Sequence, residues 1–368
     1  MKKAIVVLYS PKTLYDFIWY YCTYGKEYEW TAICIPYGYI ECQVIDLSKK
    51  LDIFEEIKTD ASTNFSIYEK LWIFIEMLFF FCIDKRKAFC KYMVKKYIKS
   101  TDFFLAVVPS SLRVLTGAII GNSDEYNTVI LEDGLGDYHS RTKKIILEDG
   151  FNFKNFIGAF IAKLGYASLT GRYWLEDEKY CEKYSSHPEK MKYFNYRCIK
   201  KLHDMTLTDT KLYYKLISKT FEINDHIYTG DLLLFTAPLI DFTDKPFLFI
   251  KQTIEYINKN FPNSTLLIKR HPRDNMIYEF TENIKVKELD EKIPAEVLSD
   301  YIEVTHYIFM FPSATLLAFQ ETEKKATIFY YKKLEKISKK ELNKFKYKKI
   351  FELSLQCIDF IDKKIENI

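Results

Sequence analysis

The chain has 368 residues, of which 48% are hydrophobic and 28% are charged. This length suggests two domains, and the composition is typical of a globular protein, which excludes disorder, collagen and coiled coil as the main state. The formal net charge of +4 is too small to indicate a nucleic-acid-binding protein, so no nucleic acid is expected among the partners.

The first half of the chain contains four short apolar runs, each followed by a turn signal. They are Lys3 to Ser10, Trp30 to Pro36, Phe103 to Pro109 and Thr128 to Leu131. Helical patterns separate the runs. Short buried strands that alternate with helices indicate an α/β domain with a parallel sheet.

Residues 150–228 are aromatic and rich in charge, and we expect them to be helical with few strands. A second α/β series follows. Its predicted strands are Asp231 to Thr236, Thr265 to Lys269, Tyr307 to Phe311 and Ala326 to Tyr330, and its predicted helices are Phe247 to Asn260 and one that begins at Ala295. The sequence therefore predicts two Rossmann-like domains, residues 1–225 with the helical segment and residues 226–368.

The cellular setting is predicted from the cysteines and from the apolar segments. Eight cysteines are scattered without a C-x-x-C pair, which is typical of a reduced, cytoplasmic protein. The first apolar run is too short for a signal peptide. The apolar run 71–83 contains Glu76 and is too short to span a bilayer.

Two lysine-rich segments, 84–99 and 331–350, have two interpretations. Either they are solvated surfaces, which we favour, or they bind the inner face of the cell membrane as a peripheral contact, together with residues 71–83.

Polar residues that directly follow an apolar strand are the candidates for function, because ligands of open α/β sheets bind beyond the carboxyl ends of the strands. Glu132, Asp133 and Gly134 follow the strand that ends at Leu131. Carboxylates at a strand tip suit a general base or a ligand for sugar hydroxyls, although an acidic turn explains the same residues. Asp241 follows the strand 231–236, and a helix N-cap is its other interpretation.

The segment Lys269-Arg270-His271-Pro272 places cations and a histidine at a third strand tip. Histidine is the side chain best suited to give up a proton near neutral pH, and the cations would hold an anionic leaving group. Ser313 and Thr315 follow the strand YIFMF at the start of an apolar helix, where hydroxyl and N–H groups bind phosphate unless they serve only as an ordinary cap.

Other chemistries lack their motifs in this sequence. It contains no G-x-G-x-x-G, no G-x-x-x-x-G-K-[ST], no G-x-S-x-G and no D-x-D, and its histidines and cysteines do not have zinc spacing. We therefore expect neither a cofactor nor a metal site.

The ordered set E-D-G, P-x-x-D, H-P and S-x-T over residues 130–318 resembles the bacterial sialyltransferases. The resemblance is nearest to the lipooligosaccharide and capsule type, glycosyltransferase family 52. Related families with polysialyl and marine-bacterial members share the acidic, His-Pro and Ser-Ser/Thr motifs. Glu296, in the segment P-A-E-V-L, matches a family position that binds the nucleotide ribose.

The resemblance implies a GT-B fold, in which two Rossmann-like domains face a central cleft. The donor, CMP-sialic acid, would bind to the C-terminal domain, and the acceptor would lie against the N-terminal domain. Transfer would be a single inverting displacement without metal. His271 would be the acid that assists CMP, Ser313 and Thr315 would stabilise the phosphate, and Lys269 and Arg270 would lie by the cytosine or phosphate.

The resemblance leaves the identity of the base open. Related families use the acidic motif, here Glu132 or Asp133, whereas the lipooligosaccharide type uses an aspartate nearer to Asp241. We favour Asp241, with Glu132 and Asp133 holding the acceptor or orienting the site.

The expected acceptor is a galactose-type sugar on lipooligosaccharide or capsule, and a homodimer is the expected assembly. The alternatives are a GT-B transferase that uses CMP-Kdo or a UDP-sugar, and a non-catalytic glycan-binding protein with the same fold.

Overall fold

The computed structural model describes residues 1–35, 41–59, 90–92, 94–95, 98, 102–109, 114–132, 178–191, 196–204, 209–223, 227–239, 246–271, 273–290, 293–299, 301–310 and 325–328. The chain divides into two compact units, of which the first ends at Glu222 and the second begins at Ile223.

The first unit is built on a seven-stranded sheet in which every described strand pairing is parallel. The strands are β1 (Lys2–Leu8), β2 (Tyr28–Cys34), β3 (Phe54–Thr59), β4 (Leu105–Pro109), β5 (Asn127–Leu131), β6 (Glu182–Ser185) and β7 (Cys198–Lys201). Their order is β3-β2-β1-β4-β5-β6-β7. This is a doubly wound arrangement, and the strand order reverses between β1 and β4.

Four described helices accompany these strands, and the first of them has a well-defined start. They are α1 (Pro11–Tyr20), α2 (Glu41–Leu51), α3 (Val114–Ile120) and α4 (Thr210–Phe221). The Ser10 hydroxyl accepts a hydrogen bond from the Thr13 N–H, and the Thr13 hydroxyl accepts one from the Ser10 N–H. This capping box, followed by Pro11 in the first turn, makes the chain leave β1 and enter α1 at once.

Aromatic side chains fill much of the core of the first unit. Trp19 of α1 contacts Tyr184 of β6 with a ring-centroid distance of 5.6 Å, and Phe17 contacts Trp30 of β2 at 4.8 Å. All four side chains are buried. The high aromatic content of the sequence therefore packs α1 across several strands of the sheet.

The second unit has a five-stranded parallel sheet and a two-stranded one. The strands are β8 (Tyr228–Thr229), β9 (Leu232–Phe235), β10 (Thr265–Lys269), β11 (Lys285–Glu288), β12 (Ile302–Glu303), β13 (His306–Phe309) and β14 (Lys325–Ile328). The larger sheet has the order β11-β10-β9-β13-β14, and β8 pairs with β12. The order again reverses, here between β9 and β13.

Helices of the second unit complete its core. They are α5 (Pro246–Asn260) and the short α6 (Ala295–Leu298). Ile250 and Ile257 of α5 pack with Leu234 of β9 and Ile268 of β10 in one buried cluster. Both units are thus Rossmann-like, as the alternation of apolar runs predicted.

Few strands lie in the described part of residues 150–228, as expected, but none of them was predicted individually. Strands β6 and β7 lie there, and both belong to the main sheet. Strand β6 has the sequence EKYS, so it lacks the apolar run by which strands such as β5 and β10 were recognised. It nevertheless pairs with a strand on each side, and Lys183 is completely buried.

The segment 90–98 bears on the membrane hypothesis. Its described residues are helical; Cys90, Val94 and Ile98 are buried, whereas Lys91 and Lys95 are exposed. The apolar stripe of this helix faces the protein, which supports the solvated-surface interpretation here. Residues 71–83 and 331–350 lie outside the described part of the chain. Within that part, no helix combines the length and apolar character needed to cross a bilayer.

We predict that Gly121→Ala destabilises the first unit. A Cβ at residue 121 would lie 2.5 Å from the Sγ of Cys90, so the two segments would have to separate. The free energy of unfolding should fall by about 1–3 kcal/mol, as for overpacked cores, in chemical denaturation. In a Cys90→Ala background the same substitution should have a clearly smaller effect; equal effects in both backgrounds would contradict the contact.

Candidate active site

Glu132 lies directly after β5, and its side chain is buried with 1% exposure. Its carboxylate accepts hydrogen bonds from the Ser185 hydroxyl at 3.1 Å, the Ser186 N–H at 2.7 Å and the Ser186 hydroxyl at 3.2 Å. Ser185 is the last residue of β6. One carboxylate therefore joins the carboxyl ends of two neighbouring strands and is held in one orientation.

A second polar group in the first unit contacts the main chain of Glu132. The Lys12 ammonium donates to the Glu132 carbonyl oxygen at 3.4 Å and to the Asp16 carboxylate at 2.6 Å. The other Asp16 oxygen lies 2.8 Å from Nε2 of His203, whose ring stacks on Tyr15 at a centroid distance of 4.6 Å. These contacts tie α1, the tip of β5 and the turn after β7 together.

The Asp16 carboxyl is charged although it is buried. Burial would raise its pKa, but the nearby Lys12 ammonium and the hydrogen bond with His203 hold the pKa below the ordinary value of 3.8. The charge on Asp16 therefore stabilises the folded state, because its partners bind the ionised form more strongly than the neutral form.

We predict that Asp16→Asn lowers the free energy of unfolding by about 2–3 kcal/mol near neutral pH, as for a lost hydrogen bond to a charged group. The contribution should be fully present above about pH 4, where the carboxyl is ionised in both states, and should disappear as the pH falls through the depressed folded-state pKa. Urea titrations at several pH values would measure this.

A matched control for Asp16 is Asp46, which pairs with Lys49 on the exposed surface of α2 at 3.9 Å. Asp46→Asn should change stability by less than about 0.5 kcal/mol at any pH. Equal losses for the two variants would show that the buried pair has no special effect.

The second unit presents His271 at the carboxyl end of β10. Its main-chain N–H donates to the Thr236 hydroxyl, beyond the end of β9, at 3.0 Å, and its carbonyl oxygen accepts from the Asp274 N–H at 2.8 Å. The imidazole Nδ1 accepts from the Arg273 N–H at 3.2 Å. The backbone and the ring of His271 are therefore both positioned by described contacts.

The two cations before His271 bind parts of the protein. Arg270 makes a bidentate pair with Glu288 of β11, at 3.1 Å and 2.6 Å, and donates to the Met276 carbonyl oxygen at 2.6 Å. This pairing raises the pKa of Arg270 and lowers that of Glu288. Lys269 is buried and donates to the Asp290 carbonyl oxygen at 2.9 Å. Contacts to cytosine or phosphate stay a prediction for both residues.

Asp274 and Tyr278 complete the turn after His271. The Tyr278 hydroxyl donates to the Asp274 carboxylate at 2.8 Å, and the same carboxylate accepts from the Met276 N–H at 3.1 Å. Burial and the neighbouring Asp274 charge raise the pKa of the Tyr278 phenol, so it remains a donor. The Arg270 guanidinium lies 5.2 Å from the centroid of the Tyr278 ring.

The remaining predicted site residues are only partly described. Glu296 is half-buried in the first turn of α6, and its carbonyl oxygen accepts from the Ser299 hydroxyl at 2.8 Å. Its role as a ribose ligand stays a prediction. Six predicted residues lie outside the described part of the chain: Asp133, Gly134, Asp241, Pro272, Ser313 and Thr315.

The sequence patterns did not indicate that Lys12, Asp16 and His203 form a cluster. The spacing of Lys12 and Asp16, four residues apart on a helix, indicates an ion pair, but it does not indicate that His203 joins them. In the part of the chain that the structure describes, no cluster of three or more His, Cys, Asp or Glu residues could hold a metal ion, and metal independence stays a prediction.

Comparison with known proteins decides the family. The family model described as alpha-2,8-polysialyltransferase (POLYST) matches residues 2–332. The chain belongs to the alpha-2,8-polysialyltransferase family. It is therefore a glycosyltransferase of the bacterial sialyltransferase type. Membership of glycosyltransferase family 52 stays a prediction, because the matching family is the polysialyl one that the sequence resembled less closely.

A solved structure shows the fold of this polysialyltransferase-family chain. The glycosyltransferase of kitacinnamycin matches with a TM-score of 0.51 and 8% identity, over 100% of this chain and 86% of that one. The glycosyltransferase SnogD from Streptomyces nogalater matches with a TM-score of 0.46 and 11% identity, over 99% and 96%. The fold is GT-B, α/β with parallel sheets. No curated protein matches the sequence.

Proposed function

We propose that the protein transfers sialic acid from CMP-sialic acid to a hydroxyl group of a glycan, in one inverting displacement that needs no metal ion. The family match over residues 2–332 carries this proposal. The positions of Glu132 and His271, each directly beyond a parallel strand of a Rossmann-like unit, support it, because that is where such sheets bind ligands.

On the donor side, His271 assists the departure of CMP. The acceptor oxygen bonds to the anomeric carbon of sialic acid while the bond from that carbon to the phosphate oxygen breaks. Ser313 and Thr315 stabilise the charge that grows on the phosphate, and Glu296 binds the ribose. Because Arg270 is bound to Glu288, its part in our proposal is to hold the His271 turn.

On the acceptor side, Glu132 is the general base that takes the proton from the acceptor hydroxyl. The resemblance to family 52 favoured Asp241 as the base. Because the matching family is the polysialyl one, we now favour the acidic motif, which related families use. Three hydrogen bonds orient the Glu132 carboxylate, as a general base requires. Asp133 and Gly134 would shape the turn around the acceptor.

The acceptor itself is proposed from the family description. An alpha-2,8-polysialyltransferase adds sialic acid to sialic acid, so we propose a glycan that ends in sialic acid, as part of a surface polysaccharide. A galactose-type acceptor on lipooligosaccharide or capsule is the competing proposal. We place the enzyme in the cytoplasm, as a homodimer, and peripheral contact with the inner face of the cell membrane is the competing proposal.

We predict that the purified protein releases CMP from CMP-sialic acid, that EDTA leaves this activity unchanged, and that a sialylated lactose is a better acceptor than lactose. His271→Ala should lower kcat by about 100-fold to 10,000-fold, the usual contribution of a positioned acid or base. His306→Ala is the matched control, because His306 packs against Phe261 in the same unit with a centroid distance of 5.1 Å.

Two outcomes would contradict this proposal. Full activity of His271→Ala would remove the residue from the mechanism. A melting temperature that rises with UDP and not with CMP would indicate a UDP-sugar donor, since a ligand that binds the folded state stabilises it.

We predict that Glu132→Gln lowers kcat by about 100-fold to 10,000-fold with little change in KM. Ser186→Ala should have a smaller effect, because it removes one donor and leaves the carboxylate. Asp133→Asn and Asp241→Asn, assayed beside them, test the alternative bases. If Glu132→Gln stays active and Asp133→Asn or Asp241→Asn loses the most kcat, the aspartate replaced in that variant is the base.

A further inference from the structure

The two ring nitrogens of His271 are in different environments. The Arg273 N–H donates to Nδ1 at 3.2 Å. A ring nitrogen that accepts a hydrogen bond carries no proton, so the proton of a neutral imidazole must then lie on Nε2. The main chain two residues downstream therefore selects one tautomer of this histidine.

The groups on both sides of His271 hold it in this arrangement. The His271 N–H donates to the Thr236 hydroxyl at 3.0 Å, and the Thr236 N–H donates to the Lys269 carbonyl oxygen at 3.1 Å. The His271 carbonyl oxygen accepts from the Asp274 N–H at 2.8 Å. The backbone of His271 is thus joined to the end of β9 and to the following turn.

The turn that carries the Arg273 N–H is also held from its far side. Asp274 accepts from the Met276 N–H and from the Tyr278 hydroxyl. Arg270 donates to the Met276 carbonyl oxygen and binds Glu288. Because the turn is held at several points, the Arg273 N–H that faces Nδ1 is fixed in its position.

An imidazolium ring does not fit this arrangement. Both nitrogens of a charged histidine are donors, so its Nδ1–H would point at the Arg273 N–H. Two donors that face each other repel, and neither makes its hydrogen bond. The observed turn therefore favours the neutral ring.

The chemistry of the leaving group does not require a transferred proton. CMP leaves as a phosphate monoester, whose second pKa is about 6, so the dianion is stable near neutral pH. A hydrogen bond to the phosphate oxygen is sufficient to stabilise the charge that develops when the bond to sialic acid breaks.

We propose that His271 acts as a neutral imidazole whose Nε2–H donates a hydrogen bond to the departing phosphate, and that the Arg273 N–H is the positioning group that sets this tautomer. The inference rests on the proposed function, because it takes His271 to face the donor phosphate. In the step, the anomeric C–O bond breaks and its electron pair goes to the phosphate oxygen. The acceptor proton goes to the base, and the His271 proton stays on Nε2.

Nitrogen NMR of the ring-labelled histidines tests the tautomer directly. The chain has six histidines, and the signals that disappear in His271→Ala belong to His271. We expect Nε2 protonated and Nδ1 unprotonated at about pH 7.5, above the range in which histidines ordinarily become charged, both in the free protein and with CMP bound. A protonated Nδ1 in either sample would overturn the inference.

A matched pair of variants tests the positioning group. Arg273→Pro removes the N–H, whereas Arg273→Ala keeps the N–H and removes only the guanidinium group. We expect kcat of the proline variant to be about tenfold or more below that of the alanine variant, the usual effect of losing an orienting contact, with similar KM. Its His271 signals should shift towards a mixture of tautomers. Equal kcat values and unchanged signals would overturn the inference.

Failure of the inference and failure of the proposed function give different results. If His271→Ala is fully active, the proposed function of His271 is wrong. If His271→Ala is inactive but Nδ1 is protonated in the wild-type protein, His271 is catalytic and the inference is wrong. The wild-type spectrum decides the second point even if Arg273→Pro does not fold, which its circular dichroism would reveal.

Discussion

Parallel strands that lie side by side end at the same edge of a sheet, and this constraint determines where the described candidate residues of the protein lie. Glu132 follows one strand of the first sheet, and Ser185 ends the neighbouring strand. Thr236 and His271 follow two neighbouring strands of the second sheet. Residues far apart in the sequence therefore meet at one edge of each sheet.

The charged groups at these edges mostly bind other parts of the protein. Lys12 and Asp16 join α1 to the tip of β5, and Arg270 joins the turn after β10 to β11. Such contacts order the turns before any substrate arrives. A preorganised turn presents its main-chain and side-chain donors without further reorganisation. Electrostatic catalysis is effective because its donors need not reorganise during the reaction.

The sequence predicted the strands whose two faces are both buried by apolar side chains. Strand β10, TLLIK, has the predicted bounds Thr265 to Lys269, because its apolar run ends where the sheet ends. Strands β6 and β11 are among those that were not predicted, since two of the four residues of EKYS and three of the four residues of KVKE are charged. Their pairing partners stabilise them, and an isolated stretch of sequence does not reveal a partner.

In the candidate site too, only the residues that follow apolar strands could be predicted from the sequence. Glu132 and His271 follow apolar runs, so their positions could be recognised. The pair of Asp16 and His203 spans 187 positions in the sequence, and it forms only because α1 crosses the sheet towards β7. The Arg273 N–H is a main-chain group, whose hydrogen bond depends on the path of the turn and not on the residue type.

Glu288 illustrates a risk for surface engineering of this enzyme. It lies on β11, an exposed strand at the end of the sheet order, and its side chain is 53% exposed. By the usual criteria for improving solubility or changing surface charge, it is a disposable residue. Its carboxylate nevertheless holds Arg270, which holds the turn beside His271. A library that recharges this strand would therefore remove a support of the turn that carries His271, although the substituted residue is exposed.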